Sequence, residues 1–217
     1  MRINWHERIE TNDIILRPYR RAFVSTYHSW MLDPWLRETT ASDEMTMVEE
    51  YAAQRGWRDD EGKLTFIFFN AKTMVMAGDV NLFLLDAVSA DSEYWGGEGG
   101  GGGEEHSLPP PVTFEVMVMV GDALERRKGF AGAAVRAIAR YAYERLGARR
   151  LVAKIGASNT NSRALFARLG FKQIKIVPAF DEVHYITDIG DNSALRIEGK
   201  WEILADEPDD GEEAGET

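Results

Sequence analysis

The 217-residue chain contains no cysteine, which excludes a disulfide framework and any thiolate metal site. Its four histidines, His6, His28, His106 and His184, include no pair at the spacing that holds a metal ion. Nowhere do about 18 apolar residues run together, and no leader-type stretch opens the chain. There is no basic excess either, since 36 acidic residues face 25 basic ones for a formal charge of −11. A nucleic-acid partner would want a basic face. These absences set the expectation of a soluble, cytoplasmic protein with no metal, no membrane and no nucleic acid among its partners.

Catalytic motifs are missing in the same informative way. There is no G-x-x-x-x-G-K-[ST] phosphate loop and no G-x-G-x-x-G between a strand and a helix. The G-x-S-x-G nucleophile elbow is absent too. Kinase, dinucleotide-binding and hydrolase readings weaken accordingly.

What is present begins with the distribution of charge. Residues 206–217, DEPDDGEEAGET, hold seven of the acids and no base, which leaves 29 acids against 25 bases, or −4, for the rest. That stretch reads as a solvated acidic tail behind a domain spanning 1–205. A second low-complexity stretch, 86–111, carries EYWGGEGGGGGEEHSLPPP and reads as a loop insertion between strands.

Between these segments, hydrophobic spacing gives a sequence of elements. DIILRPYR, 13–20, reads as a strand closed by Pro18. Phe23, Tyr27 and Trp30 fall on one helical face, and Thr46 with Glu49 forms a capping box for a helix reaching about Trp57. LTFIFFN (64–70), GDVNLFLL (78–85) and VTFEVMVMV (112–120) follow as strands. In the last of these, alternation puts Phe114, Val116, Val118 and Val120 on one face and Glu115, Met117 and Met119 on the other. A helix over 129–146, the strand RLVAKIG, a helix from Ser162 to Leu169 stopped by Gly170, and FKQIKIV come next. HYITDI and ALRIEGKWEIL read as a closing hairpin turning near Gly190-Asp191-Asn192. The order implies an α/β, or α+β layered, fold with a mixed sheet.

Chemistry concentrates in RRKGFAGAA, Arg126 to Ala134. A loop entering a helix N-terminus presents unpaired N–H groups and the positive end of the helix dipole to one point, which suits a phosphate. Arg126, Arg127 and Lys128 add positive charge, and Gly129, Ala131 and Gly132 keep side chains clear. The alternative reading is a basic loop ahead of an Ala-rich packing helix.

Arg126, Gly129 and Ala131 also fit the pattern R/Q-x-x-G-x-G/A, which resembles the acyl-CoA cradle of the GNAT acetyltransferase superfamily. NTNSRALFARLGF, 159–171, resembles that superfamily's next helix, and IILRPY resembles its first strand. ILRPY, YHSWM, TASDEMTMVEEYAAQ, GDVNLFL, EVMV and AKIGASN together resemble the eukaryotic N-acetyltransferase nine-like branch.

The resemblance implies a central, mostly antiparallel sheet of about seven strands and transfer of acetyl from acetyl-CoA, as co-substrate, to an amine in a ternary complex without metal. It implies that Met119 and Val120 meet the pantetheine arm through their backbone. Arg126, Arg127, Lys128, Gly129, Phe130 and Ala131 would hold the pyrophosphate, with Asn159 and Phe166 completing the cofactor contacts. A base must take the proton of the acceptor amine, and Glu115 is its candidate; an exposed or salt-bridged strand carboxylate is the alternative.

Phe166 stands where the superfamily often has a tyrosine that protonates the thiolate, so Tyr185 and His184 are substitutes, with a packing role as their alternative. Asn159 has helix capping as its alternative. Asp79 and Asn81 are candidate substrate contacts, with turn and edge hydrogen bonding as theirs. Trp30, Trp35 and Trp57 are assigned to the core. The expected acceptor is a protein amine, an N-terminus or a lysine, on a protein or peptide that the branch resemblance links to tubulin. A small-amine acetyltransferase, and a GNAT-fold protein that binds acetyl-CoA or a partner without efficient catalysis, stand as alternatives.

Overall fold

A computed structural model describes residues 2–86 and 111–206. The loop insertion and the acidic tail expected from the sequence lie outside the described residues, apart from Asp86, Pro111 and Asp206. Among the described residues, nine strands form one sheet in the order β7-β8-β6-β5-β4-β3-β2-β1-β9. The strands are β1 Glu7–Thr11, β2 Ile14–Pro18, β3 Lys63–Asn70, β4 Met76–Leu84, β5 Thr113–Met119, β6 Arg150–Gly156, β7 Lys172–Val177, β8 Glu182–Asp188 and β9 Trp201–Ala205. The helices are α1 Val24–Met31, α2 Pro34–Thr40, α3 Met47–Asp59, α4 Phe130–Arg145 and α5 Thr160–Arg168.

Nine strands replace the expected seven because β1 and β9 pair with one another at one edge. In β1, ERIET, only Ile9 is apolar, so no alternation announces a strand, yet Ile9 is fully buried. This pairing also corrects the expected closing hairpin. β8 pairs with β6 and β7, whereas β9 crosses to β1. The turn expected at 190–192 leads instead into a short 3-10 turn, Ser193–Leu195, capped by Asn192.

Backbone packing divides the chain into two compact units. The first comprises Met1–Leu82, Met117–Ile138 and Ile197–Thr217. There β3 buries all eight residues, as a nearly continuous apolar run in an interior strand should. Tyr19, Val24, Tyr27, Trp30, Met31, Leu36, Ile67, Phe69 and Met119 form one apolar cluster over it. The helices above are locally specified. The capping box of α3 forms as expected, with Thr46 Oγ1 accepting from Glu49 N and Glu49 bonding Thr46 N in return. Asp33 caps α2 by accepting from Trp35 N at 3.0 Å, with Pro34 in the first turn.

Asp206, expected at the head of a solvated tail, belongs to the fold. It is 2 % exposed and accepts bonds from Arg17 and the fully buried Arg20. Two buried charges persist in such a place only when paired.

The second unit comprises Phe83–Val116 and Ala139–Arg196. Within it β5 runs parallel to β6, placing Glu115 opposite Val152. β6, β8 and β7 continue as antiparallel neighbours, with an irregularity between Gln173 and Lys175. Gly170, at φ +78, ends α5 in the left-handed conformation that its sequence position predicts.

Candidate active site

The first unit carries the basic loop. Gly129 adopts φ +89, a conformation that side chains rarely tolerate, and nothing stands within 4 Å of where its Cβ would be. The first intrahelical bond runs from Ala133 N to Gly129 O at 3.1 Å. The N–H groups of the preceding turn therefore have no acceptor within the helix. An open, N–H-lined helix start fits an anionic group.

The three cations divide their work. Arg126 turns inward, donating to Val120 O at 3.2 Å and Gly121 O at 3.1 Å, with its guanidinium 4.8 Å from the centre of the Trp35 ring. Lys128 pairs with Glu125 at 3.0 Å, and Glu125 accepts from Asn70. Lys128 and Asn70 together hold the Glu125 carboxyl below the usual carboxylate range. Arg127, exposed and at φ +65, has no hydrogen bond or ion pair among the described residues. Phe130 and Ala131 are half-buried in the first turn of α4.

The end of β5 differs from the sequence reading. Met119 is 7 % exposed and joins the cluster of Tyr27, Trp30 and Met31, whereas Val118 and Val120 are only half-buried. The alternation slips by one residue inside the strand, so the buried set is Thr113, Phe114, Val116 and Met119. A strict period of two cannot register such a slip. Close packing holds this strand end in place. A Cβ on Gly78 would overlap Met119 O, and one on Gly121 would overlap the Trp30 ring.

Trp30 is core as expected, but Trp35 is not, being 51 % exposed on α2 beside Leu32 at 55 %.

Asp79 and Asn81 form no turn or edge contact. They lie on interior strand β4, 3 % and 7 % exposed, side by side on one face. Asn81 Nδ2 donates to Asp79 Oδ2 at 2.6 Å, and Thr65 Oγ1 braces Asn81 Oδ1 at 2.6 Å. Asp79 Oδ1 has no hydrogen-bond partner among the described residues. Burial pushes the Asp79 carboxyl up to about 6, against the opposing pull of Asn81, the Lys63 ammonium and the Tyr27 hydroxyl. Burial also drives Lys63 down to about 8, with Asp79 and Asp60 opposing it. The Lys63 ammonium lies 3.1 Å from the centre of the Trp57 ring. The sequence pointed to Asp79 and Asn81 but gave no signal that Tyr27, Thr65 and Lys63 surround them.

The second unit holds the remaining candidates. Glu115 Oε2 lies 3.0 Å from Lys154 Nζ on the adjacent strand β6, so the salt-bridged alternative is the observed arrangement. Tyr185 is buried on β8, its hydroxyl accepting from Arg163 Nε at 3.1 Å and donating to Gln173 Oε1 at 3.5 Å. His184 Nε2 lies 3.0 Å from Glu182 Oε2. Asn159 caps α5, its Oδ1 accepting from Ser162 N at 3.0 Å. Phe166 is 3 % exposed and packs edge-on against Phe171 with centroids 4.9 Å apart. Among the described residues no cluster of His, Asp and Glu could hold a metal ion, and no helix is long and apolar enough to cross a membrane.

The arrangement of strands and helices recurs in solved acetyltransferases. Spermidine N-acetyltransferase from Vibrio cholerae, solved with CoA and spermine, superposes with a TM-score of 0.67 at 13 % identity, over 84 % of this chain and 99 % of that one. RimL, a ribosomal L7/L12 alpha-N-protein acetyltransferase, gives 0.64 at 15 % identity over 83 % and 94 %. At such identities the likeness defines the class by fold, the acetyltransferase sheet with its flanking helices.

Sequence defines it further, because residues 13–172 match the acetyltransferase (GNAT) domain, and the chain belongs to the GNAT family of acetyl-CoA-dependent N-acetyltransferases. Within that family it is 37 % identical to the N-acetyltransferase 9-like protein of Caenorhabditis elegans, over 84 % of this chain and 86 % of that one. It is 33 % identical to the human alpha/beta-tubulin-N-acetyltransferase 9, over 84 % of each.

Proposed function

We propose that this acetyltransferase moves the acetyl group of acetyl-CoA directly to an amine of a protein, a chain N-terminus or a lysine, with tubulin as the acceptor. The observation that carries the reading is the start of α4, where Gly129 at φ +89 leaves the helix N-terminus open and Arg127 unpaired among the described residues. Relatives named as tubulin acetyltransferases support the choice of acceptor. Exposed Leu32 and Trp35, with Arg126 against the Trp35 ring, add an apolar surface open to solvent, as a protein acceptor requires.

Acetyl-CoA supplies the activated acyl group. The N–H groups of Phe130 and Ala131 with Arg127 hold its pyrophosphate, Lys128 contributes long-range charge, and Arg126 fixes the loop. The backbone of Met119 and Val120 pairs with the pantetheine arm. Asn159, in the second unit, remains assigned to the cofactor through its amide nitrogen. Phe166, on α5, acts by packing against Phe171. Asp79 and Asn81 remain assigned to the acceptor side, and the site of action is the cytoplasm.

The test is incubation of the protein with radiolabelled acetyl-CoA and either purified α/β-tubulin or spermine. Label on tubulin, abolished by Gly129→Glu, supports the reading. Label on spermine alone overturns it in favour of a small-amine enzyme.

A further inference from the structure

Two of the candidate residues are carboxylates, Glu115 in the second unit and Asp79 in the first, and they differ in what surrounds them. Glu115 is already bound to the Lys154 ammonium. Asp79 is more deeply buried, is held on one oxygen by Asn81, and keeps the other oxygen without a partner among the described residues. Buried polar atoms are nearly always satisfied, so an orphaned carboxylate oxygen calls for a water, a ligand or a proton.

The position of Asp79 in the first unit gives that oxygen a task. Gly78, the preceding residue, lies so close to Met119 O that no Cβ fits. Tyr27, whose hydroxyl interacts with the Asp79 carboxylate, packs in the same cluster as Met119. The backbone just before Asp79 therefore adjoins the strand end to which the proposed function assigns the thioester arm, and the Asp79 carboxylate meets a tyrosine of the cluster packed there. A second buried hydroxyl, that of Tyr19, is also without a hydrogen-bond partner among the described residues. Its ring lies tilted against that of Tyr27, with centroids 5.1 Å apart.

We propose that Asp79 is the proton acceptor of the transfer step, with Tyr27 and Asn81 as the residues that position it. This assignment rests on the proposed function. The acceptor arrives as an ammonium, and Asp79 Oδ1 takes one of its protons directly or through one water. The freed lone pair forms the N–C bond to the acetyl carbonyl, and the C–S bond breaks with its electron pair leaving on sulfur. The second proton released from nitrogen goes to the CoA thiolate, and Asp79 returns its own proton to solvent.

A base that titrates near 6 is ionised at neutral pH and still basic enough to work. Burial is the chief cause of that value. The titratable groups around Asp79 are Lys63 on β3, Tyr27 on α1, Tyr19 ahead of it and, coupled to both tyrosines, Glu50 of α3 with His28 beside it.

The experiment measures kcat/KM for acetylation of α/β-tubulin from pH 5 to 9 in the wild-type protein, Asp79→Asn and Tyr27→Phe, with acetyl-CoA affinity measured by calorimetry. Asp79→Asn is expected to lose about 10²- to 10⁴-fold in kcat while binding acetyl-CoA as before. Its residual rate should climb steadily with pH, without the wild-type limb near 6. Tyr27→Phe removes an interaction that favours the Asp79 anion, so its limb should move to higher pH, an effect that a merely structural tyrosine would not produce. Independently of activity, infrared difference spectra of wild type against Asp79→Asn should show a carboxyl ionising near pH 6.

Retention of the rate by Asp79→Asn within threefold, or an Asp79 that ionises near 4, overturns the assignment alone. A wild-type protein that acetylates no tubulin at any pH overturns the transferase reading, and this assignment with it.

Discussion

A carboxylate enclosed by an asparagine, a lysine and a tyrosine titrates in a different range from one at the surface, and Asp79 makes that difference measurable in stability as well as in rate. Its folded value of about 6 lies above the roughly 3.9 of an unfolded aspartate. The native state therefore holds the proton more tightly, and stability falls as pH rises between about 4 and 6. Two pKa units correspond to about 2–3 kcal/mol. Urea unfolding at pH 4.5 and 7.5 should show wild type losing stability of that order relative to Asp79→Asn across the interval. Parallel behaviour of the two proteins would contradict the burial argument.

The same residue shows why sequence reading stops where it does. Gly-Asp-Val-Asn is built from turn formers, and only the flanking apolar residues mark it as a strand. Nothing in the local pattern says that the polar pair faces inward, because its partners come from β3, 16 residues away, and from α1, farther still. Glu115 and Tyr185 were legible as candidates by residue type and position, but their engagement by Lys154 and Arg163 depends on strand pairing and helix docking.

Elements were legible where a local signal defines them. The Thr46/Glu49 capping box and the Gly170 stop of α5 are both formed. Asp33-Pro34 is an equally local signal for α2, an N-cap followed by a proline in the first turn, and could have been read. β1 could not, since its single apolar residue gives no alternation and it becomes a strand only through β2 and β9; for β9 the strand was legible in ALRIEGKWEIL but its partner was not. Asn159→Ala separates capping from ligand binding at this scale. Loss of the bond to Ser162 N should cost about 1 kcal/mol of stability by chemical denaturation, and if Asn159 also meets the pantetheine, acetyl-CoA affinity falls too. At the end of β5, Gly121→Ala drives a methyl group into Trp30. It should destabilise by about 1–3 kcal/mol, as overpacking does, read as a lowered urea midpoint. An unchanged midpoint would mean that α1 and the strand end are not packed as described.

For the whole molecule, the Arg20–Asp206 pair ties residues 186 positions apart in the first unit. Arg20 also donates to Trp5 O and lies 4.0 Å from the centre of the Trp5 ring. Asp206→Ala leaves a fully buried guanidinium short of its anion, and breaking such a pair from one side costs about 3–5 kcal/mol. Denaturant unfolding of this variant should show a loss of that size; a loss below about 1 kcal/mol, the range of surface pairs, would return Asp206 to the tail. The acidic composition read from the sequence gave no hint of this, because one buried aspartate is indistinguishable in composition from its solvated neighbours.

Acetyl transfer by this chain requires the open start of α4 to seat an anionic cofactor. Isothermal titration of acetyl-CoA into the wild-type protein, compared with Gly129→Glu, tests it most directly. One-to-one saturable binding that the folded variant loses is the predicted result, and a folded wild-type protein that binds no acetyl-CoA, or a variant that binds it equally well, would contradict it.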